Sequence, residues 1–173
     1  MLVSIVIPCY YSEKTIRKVV ELVMDEFRKN EGYECEFVLV NDGSKDKTYE
    51  EIKSLGRQYP NVCGVNLMRN FGQHNALMAA LQYTNGDYVL GMDDDMQTHP
   101  SQIFKLVHKI EEGFDVVYGV YPKKKNSTPP AVASSLFSTL AAVPGLIPEN
   151  QIVHIAERRG HIMYHAHPPF RIL

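Results

Sequence analysis

The chain has 173 residues, of which 45% are hydrophobic and 22% charged, a balance typical of a globular domain rather than of a disordered segment. A formal net charge of -2 gives no support to nucleic-acid binding. The sequence has no run of about 18 apolar residues and starts without the basic segment of a signal peptide, so we expect a cytoplasmic chain without a transmembrane helix.

Apolar residues recur along the first 120 positions at strand and helix spacing in turn. In chain order the pattern predicts a strand over residues 2–7, a helix over 13–30 with Ser12 as N-cap, a strand over 35–40, a helix over 46–59, a strand over 62–68, a helix over 73–83, a strand over 88–92, a helix over 100–112 and a strand over 114–119. This alternation predicts an α/β fold with a mostly parallel sheet and helices on both faces.

Three cysteines, Cys9, Cys35 and Cys63, are widely spaced and lie in or beside apolar runs. Their spacing is not that of a zinc site, and their number is odd. We therefore expect buried, reduced thiols.

An acidic segment follows the fourth predicted strand: Asp93, Asp94, Asp95, Met96 and Gln97. Three adjacent carboxylates repel one another and are costly to desolvate unless a positive charge lies nearby. Continued strand alternation would place Asp93, Asp95 and Gln97 on one side and Asp94 on the other. Oxygen ligands of this kind suit Mg²⁺ or Mn²⁺. The alternative interpretation is a solvated acidic turn.

Polar residues also follow the other predicted strands, and in a parallel sheet these strand ends meet at one edge, where ligands bind. Asp42 could accept hydrogen bonds from a nucleobase or ribose, or could form an Asx-turn or helix cap. Arg69 and Asn70 could contact phosphate or sugar, and Gly72 would allow close backbone approach, although a single Arg is more often a surface ion pair. Tyr10 could stack on a base or simply lie at the rim.

Four ordered motifs resemble one enzyme family, the family 2 inverting glycosyltransferases, over about residues 2–127. The motifs are Val3 to Tyr10, Val40 to Asp46, Arg69 to Gln73 with Ala76, and Met92 to Gln97 with Pro100. The last two resemble the branch that loads polyprenyl phosphates, which includes dolichyl-phosphate mannose synthase and undecaprenyl-phosphate sugar transferases. Residues 114–120 are similar to the fifth strand of this branch. Tyr11 departs from the family, which usually has Asn at this position.

The resemblance implies a Rossmann-like GT-A fold, a nucleotide-diphosphate sugar donor and a divalent metal, Mg²⁺ or Mn²⁺. It assigns donor binding to seven residues: Pro8, Tyr10, Asp42, Asn70, Gly72, Asp93 and Asp94. It assigns the metal to Asp93, Asp95 and Gln97, and catalysis to Asp93, Asp95 and Arg69. The expected reaction transfers a sugar to a polyprenyl phosphate with inversion, at the cytoplasmic face of a membrane with which the chain would make peripheral contact. The alternatives are a truncated donor-binding module without independent activity and transfer to a saccharide hydroxyl, for which Glu149 and Glu157 are nominal bases.

The composition changes near residue 128, and no Asp follows Asp115. We therefore predict a nucleotide-sugar-binding domain over residues 1–127 and an atypical or incomplete acceptor-side segment over residues 128–173. The three lysines Lys123, Lys124 and Lys125 could hold phosphate or an anionic membrane surface, or form a solvated loop. Residues 131–143 could form a short apolar helix. Four late histidines could be zinc ligands or part of a surface tail: His154, His161, His165 and His167.

Overall fold

The computed structural model describes residues 1–96, 99–114, 116–119 and 153–158. Strands and helices follow in the order β1 (Leu2–Cys9), α1 (Ile16–Arg28), β2 (Glu34–Asn41), α2 (Thr48–Gln58), β3 (Val62–Asn66), α3 (Gln73–Leu81), β4 (Tyr88–Gly91), α4 (Ile103–Glu111), β5 (Val116–Gly119) and β6 (Val153–Arg158). A 3-10 turn over Pro100–Gln102 leads into α4. The predicted alternation of strands and helices is confirmed through β5.

The N-terminus of α1 differs from the prediction. The helix begins at Ile16, its N-cap is Thr15, and the cap makes no side-chain hydrogen bond. Ser12 contributes its carbonyl oxygen, which accepts from the amides of Thr15 and Ile16 at 3.1 Å each. The Ser12 N-cap prediction was therefore wrong, because the chain makes a turn over residues 12–15 before it enters the helix.

The sheet has the order β3-β2-β1-β4-β6-β5. Strand β1 pairs in parallel with β2 on one side and with β4 on the other. The chain therefore moves outward from β1 in one direction to β3 and then returns to the opposite side of β1 at β4. A reversal of this kind leaves a crevice beyond the carboxyl ends of β1 and β4, where open α/β sheets bind their ligands.

Strand β6 was not predicted from the sequence. It lies between β4 and β5 and pairs antiparallel with both, so the fold is mostly rather than wholly parallel. Residues 153–158 thus belong to the same sheet as strands β1 to β5. The domain boundary near residue 128 stays a prediction.

The core lies on both faces of the sheet. On one face, buried side chains of α1, α2 and α4 pack against alternate residues of the central strands, including Ile5, Ile7 and Leu90. On the other face, Ala76 and Ala80 of α3 pack on a smaller cluster that contains Val6, Val38, Val40 and Val89. These two layers fix the carboxyl ends of the strands relative to one another.

A hydrogen-bonded network closes the opposite, amino-terminal edge of the sheet. Glu36 accepts from the Ser4 hydroxyl at 2.5 Å and from both the backbone and the side-chain amide of Asn85. The Ser4 hydroxyl in turn accepts from the Gly86 amide at 2.8 Å. Burial favours a higher pKa for Glu36, but these hydrogen bonds more than offset it and lower the pKa from its ordinary value. The network holds the start of β4 against β1 and β2.

The cysteines are unpaired, as predicted, but they are not all buried: Cys9 is buried, Cys35 is half-buried and Cys63 is exposed. Cys63 lies on β3, an edge strand, which explains its exposure. Among the described residues no helix has the length and apolar character needed to cross a membrane. The predicted helix over 131–143, Glu149, the lysines at 123–125 and three of the late histidines lie outside the described residues. His154 and Glu157 lie on β6, and their side chains also lie outside the description.

Candidate functional site

A cleft of about 330 Å³ opens at the carboxyl edge of the sheet, between the ends of β1 and β4. Eight of the residues predicted from the sequence line it: Pro8, Tyr10, Asp42, Asn70, Gly72, Asp93, Asp94 and Asp95. Cys9 and Gln73 also line the cleft and were not predicted. The structure therefore brings together residues separated by up to 87 positions in the sequence, at the place where the reversed strand order leaves a crevice.

Asp42 fixes the loop that leads from β3 into α3. Its carboxylate is only 3% exposed and accepts hydrogen bonds from the backbone amides of Phe71 at 2.7 Å and Gly72 at 2.9 Å. This arrangement is neither the Asx-turn nor the helix cap considered as alternatives, because the donors lie 29 and 30 residues away. Asp42 shapes the cleft wall and still has lone pairs that could receive a donor.

Gly43 lets the loop after β2 approach the loop after β3 closely. It has a φ of +68°, and a Cβ atom there would lie 2.3 Å from the carbonyl carbon of Arg69. A side chain cannot fit at that distance. The short Asp-Gly sequence after β2 thus combines a buried carboxylate with a residue that leaves room for the neighbouring backbone.

Two tyrosines follow β1 at the mouth of the cleft. Tyr10 lines the cleft and contacts Tyr11 edge to face, with ring centroids 4.6 Å apart. Tyr11 has a φ of 57°, in the left-handed region that Asn tolerates better than an aromatic residue. The family's usual Asn at this position therefore has a backbone explanation.

The acidic segment after β4 does not continue as a strand. Residues 94–96 bend, and Met96 has a φ of 59°. As a result Asp93, Asp94 and Asp95 all line the cleft. The predicted alternation, with Asp94 on the opposite side, was wrong because it assumed an extended backbone beyond Gly91.

Asp93 is linked to α3 by Gln73, the first residue of that helix. The Gln73 side-chain amide donates to Asp93 Oδ1 at 2.6 Å. The pKa of Asp93 is nevertheless raised, first by burial and then by the charges of Asp95 and Asp94. The ionised form of this carboxylate is therefore short of positive partners.

Asp94 faces the N-terminus of α1. Its Oδ2 accepts from the Thr15 hydroxyl at 3.3 Å. The Ser12 hydroxyl, buried and without a hydrogen bond of normal geometry, lies near enough to favour the ionised carboxylate. Burial still dominates and raises the pKa of Asp94, with a further contribution from Asp95. Asp94 therefore joins the acidic segment to the first helix.

The chemistry of these carboxylates fits a divalent cation. Burial and mutual repulsion raise the pKa of both Asp93 and Asp94, and a cation would relieve both effects. Within the described ranges, however, no three His, Cys, Asp or Glu side chains are gathered around one point. Asp93 and Asp94 are held instead by Gln73 and Thr15. Proteins usually bind Mg²⁺ through only one or two carboxylates, and substrate phosphates complete the coordination.

Among the described residues, one predicted site residue, Arg69, does not line the cleft. The Arg69 guanidinium lies 4.9 Å from the centre of the Phe71 ring, on the exposed side of the loop. Gln97 lies outside the described residues, so its predicted metal role is untested. Gln73 was missed as a site residue, although its place directly after the Gly72 loop, at the start of a helix, was a usable signal.

Comparison with known proteins identifies the family of this chain. The family model described as "Glycosyl transferase family 2" matches residues 4–171. An undecaprenyl-phosphate 4-deoxy-4-formamido-L-arabinose transferase of Shewanella sediminis (strain HAW-EB3) is 35% identical over 139 residues, or 80% of this chain and 42% of the relative. The uncharacterized glycosyltransferase YkcC of Bacillus subtilis (strain 168) is 35% identical over 128 residues, or 72% of this chain and 38% of the relative. The chain spans about two fifths of the length of these relatives.

Solved structures show the same fold. Residues 1–349 of S. aureus TarS match with a TM-score of 0.59 and 24% identity, over 91% of this chain and 47% of that one. Glucosyl-3-phosphoglycerate synthase from Mycobacterium tuberculosis, in complex with Mn²⁺, UDP and glucosyl-3-phosphoglycerate, matches with a TM-score of 0.51 and 26% identity, over 66% of this chain and 42% of that one. The fold is thus the GT-A fold that the sequence predicted. Because the family model spans nearly the whole chain and the motifs meet in one cleft, this chain belongs to glycosyl transferase family 2.

Proposed function

We propose that this chain carries the donor site of a glycosyltransferase that moves a sugar from a nucleotide diphosphate to a polyprenyl phosphate, with inversion. One observation supports donor binding above all: Asp42 and the three carboxylates of the acidic segment line a single cleft at the reversal point of the sheet. The nucleoside would lie toward Pro8, Tyr10, Asn70 and Gly72, and the diphosphate toward the acidic segment.

Asp93, Asp95 and Gln97 would hold the divalent cation. Bound there, Mg²⁺ or Mn²⁺ would supply neutralising charge for the diphosphate and so make it a better leaving group. The Mn²⁺ and UDP named in the M. tuberculosis synthase structure support this assignment. The chain's own contribution is to keep Asp93 in place through Gln73.

Polyprenyl phosphate is the acceptor class that the relatives favour, since several are named undecaprenyl-phosphate transferases. In the reaction an acceptor phosphate oxygen would attack the anomeric carbon while the bond from that carbon to the donor's phosphate oxygen breaks. A phosphate oxygen is already anionic at neutral pH, so the attack needs no strong general base. Arg69, at the loop edge, could pair with a phosphate if it left the Phe71 ring.

Calorimetry with UDP, GDP and their sugars, with and without Mn²⁺, tests donor binding. We expect metal-dependent affinity that is lost in Asp95→Ala and kept in Asp25→Ala, a control on the exposed face of α1 where Asp25 pairs with Arg28. Equal affinity in both variants would show that the acidic segment is not the metal site. Transfer to undecaprenyl phosphate in detergent then tests the acceptor.

A second candidate is a donor-binding module that has no activity by itself. The observation that favours it is length, because the chain spans about two fifths of its relatives. It predicts nucleotide and Mn²⁺ binding without sugar transfer. Transfer to a saccharide hydroxyl is the remaining alternative and would require a base, for which Glu149 and Glu157 are the candidates named by the sequence.

A further inference from the structure

Three loops surround the mouth of the cleft, and we call them the rim loops: residues 10–15, 42–47 and 67–72. Each follows one of the first three strands, so all three lie at the carboxyl edge of the sheet. Their contacts join them into one surface. The Tyr11 amide donates to the Ser44 hydroxyl at 3.1 Å, and Gly43 packs against the Arg69 backbone.

The exposed charges of the rim loops are all of one sign. The exposed charged residues in them are Lys14, Lys45, Lys47 and Arg69. The acidic residues of the same loops are buried or half-buried, and they accept hydrogen bonds. Asp42 is buried, Asp46 accepts from Thr48, and Glu13 accepts from the Lys47 amide at 3.0 Å.

The four basic side chains make no ion pair with any described residue, unlike several basic residues on the helices. Ion pairs are formed elsewhere by Arg17, Arg28, Lys29, Lys53 and Lys109. The rim loops therefore carry four exposed cations against three acidic residues, none of them fully exposed, although the whole chain has a net charge of -2. Unpaired cations concentrated at one edge suit an anionic partner.

The same loops also expose large apolar side chains. Met68 is 99% exposed, Tyr10 52%, Tyr11 53% and Phe71 44%. A thioether and aromatic rings interspersed with lysine and arginine are typical of protein surfaces that enter the headgroup region of a bilayer. The apolar side chains would leave water, while the cations would remain among lipid phosphates.

We propose that the rim loops dock on an anionic lipid surface and thereby turn the mouth of the cleft toward the bilayer. This proposal rests on the proposed function, since docking would bring a membrane-bound phosphate acceptor beside the donor. It identifies residues different from the late lysines that the sequence suggested for membrane contact. A nucleic acid is a weaker candidate, because exposed Met68 and aromatic rings on the same loops as the four cations favour headgroups over a regular phosphate backbone.

Co-sedimentation with vesicles tests the proposal. The chain should bind phosphatidylcholine vesicles that contain phosphatidylglycerol, bind pure phosphatidylcholine weakly, and lose binding as salt increases. The double variant Lys45→Gln, Lys47→Gln should weaken partition by at least about tenfold, since each lysine near an anionic surface contributes about fivefold. Met68→Ser should weaken partition several-fold.

Matched controls lie on other parts of the molecule. Lys53→Gln removes an exposed lysine of α2. Phe114→Ser removes an aromatic side chain that is 49% exposed and lies just before β5, outside the rim loops. Both should partition like the wild type. Equal binding by the rim variants and the wild type, or no preference for the anionic vesicles, would overturn the proposal.

Donor calorimetry on the same samples separates this proposal from the proposed function. The rim variants should keep the wild-type affinity for nucleotide and Mn²⁺, because Lys45, Lys47 and Met68 do not line the cleft. Vesicle binding without any donor binding would refute the proposed function and support the lipid-docking proposal. Donor binding without vesicle binding would refute the lipid-docking proposal and support the donor site.

Discussion

Replacing Asp42 with Asn should release the loop between β3 and α3. The wild-type carboxylate, 3% exposed, accepts from two backbone amides at 2.7 and 2.9 Å. An Asn side chain has one oxygen, so its NH₂ group would face one of those two N–H donors. The loss of one hydrogen bond to a charged group costs about 2 kcal/mol.

Amide hydrogen exchange is the most direct assay. Phe71 is the cleaner reporter, because the Gly72 amide also donates to Asn70 Oδ1 at 3.0 Å. We expect the amide that faces the Asn NH₂ group, Phe71 or Gly72, to exchange faster in Asp42→Asn, by about thirtyfold if it is Phe71, the equivalent of about 2 kcal/mol. Urea unfolding should show a loss of similar size, and donor affinity should fall because Asn70 and Gly72 line the cleft.

The control is Asp25→Asn, which alters an exposed carboxylate paired with Arg28. Its unfolding free energy and its Phe71 exchange rate should stay close to those of the wild type. If Asp42→Asn left the exchange of both Phe71 and Gly72 unchanged while the protein remained folded, Asp42 would not hold the loop. The inference that Asp42 shapes the cleft wall would then be wrong.

Three further predictions concern the backbone, the sheet edge and the acidic segment. Tyr11→Asn should raise the unfolding free energy by about 1 kcal/mol, because Asn tolerates a φ of 57° better; a lower thermal midpoint would contradict this. The pKa of Glu36 is lowered in the fold, so its stabilisation is present above its ordinary value of 4.5 and is lost as pH falls through the folded value. The free energy of unfolding, measured with urea, should therefore fall more steeply below about pH 4.5 in the wild type than in Glu36→Gln. Parallel pH curves for the two proteins would count against the network. Gln73→Ala should reduce Mn²⁺ affinity several-fold by releasing Asp93, whereas Gln82→Ala at the other end of α3 should leave it unchanged; equal calorimetric titrations would show that Gln73 does not position Asp93.

The repeating strand and helix pattern was readable because each element is local. The apolar residues of α1, for example, recur at helical spacing and are buried on one face. Strand β6 could not be read in the same way. It is specified by pairing with β4 and β5, and the β4 partners Tyr88, Val89 and Leu90 lie about 70 residues earlier in the chain. Long-range pairing leaves little periodic signal in a six-residue strand.

The site was predictable in membership more than in geometry. Fold topology alone places the ends of β1, β2, β3 and β4 at one edge, which is why Tyr10, Asp42 and the acidic segment were expected together. What failed was the assumption of extended backbone after β4. The bend brings Asp94 within hydrogen-bonding distance of Thr15, just before α1, and the residue pattern after Gly91 does not encode that contact.

The place of β6 has a consequence for synthesis on the ribosome. Until Val153–Arg158 emerges, β4 can pair with β1 on one side only, and the backbone groups of its other edge remain open. About 60 residues separate the end of β4 from the start of β6. At ordinary translation rates the ribosome needs several seconds to add them. A nascent chain of this architecture therefore exposes a strand edge to neighbouring chains for that time, and a product that stops before residue 153 would retain it.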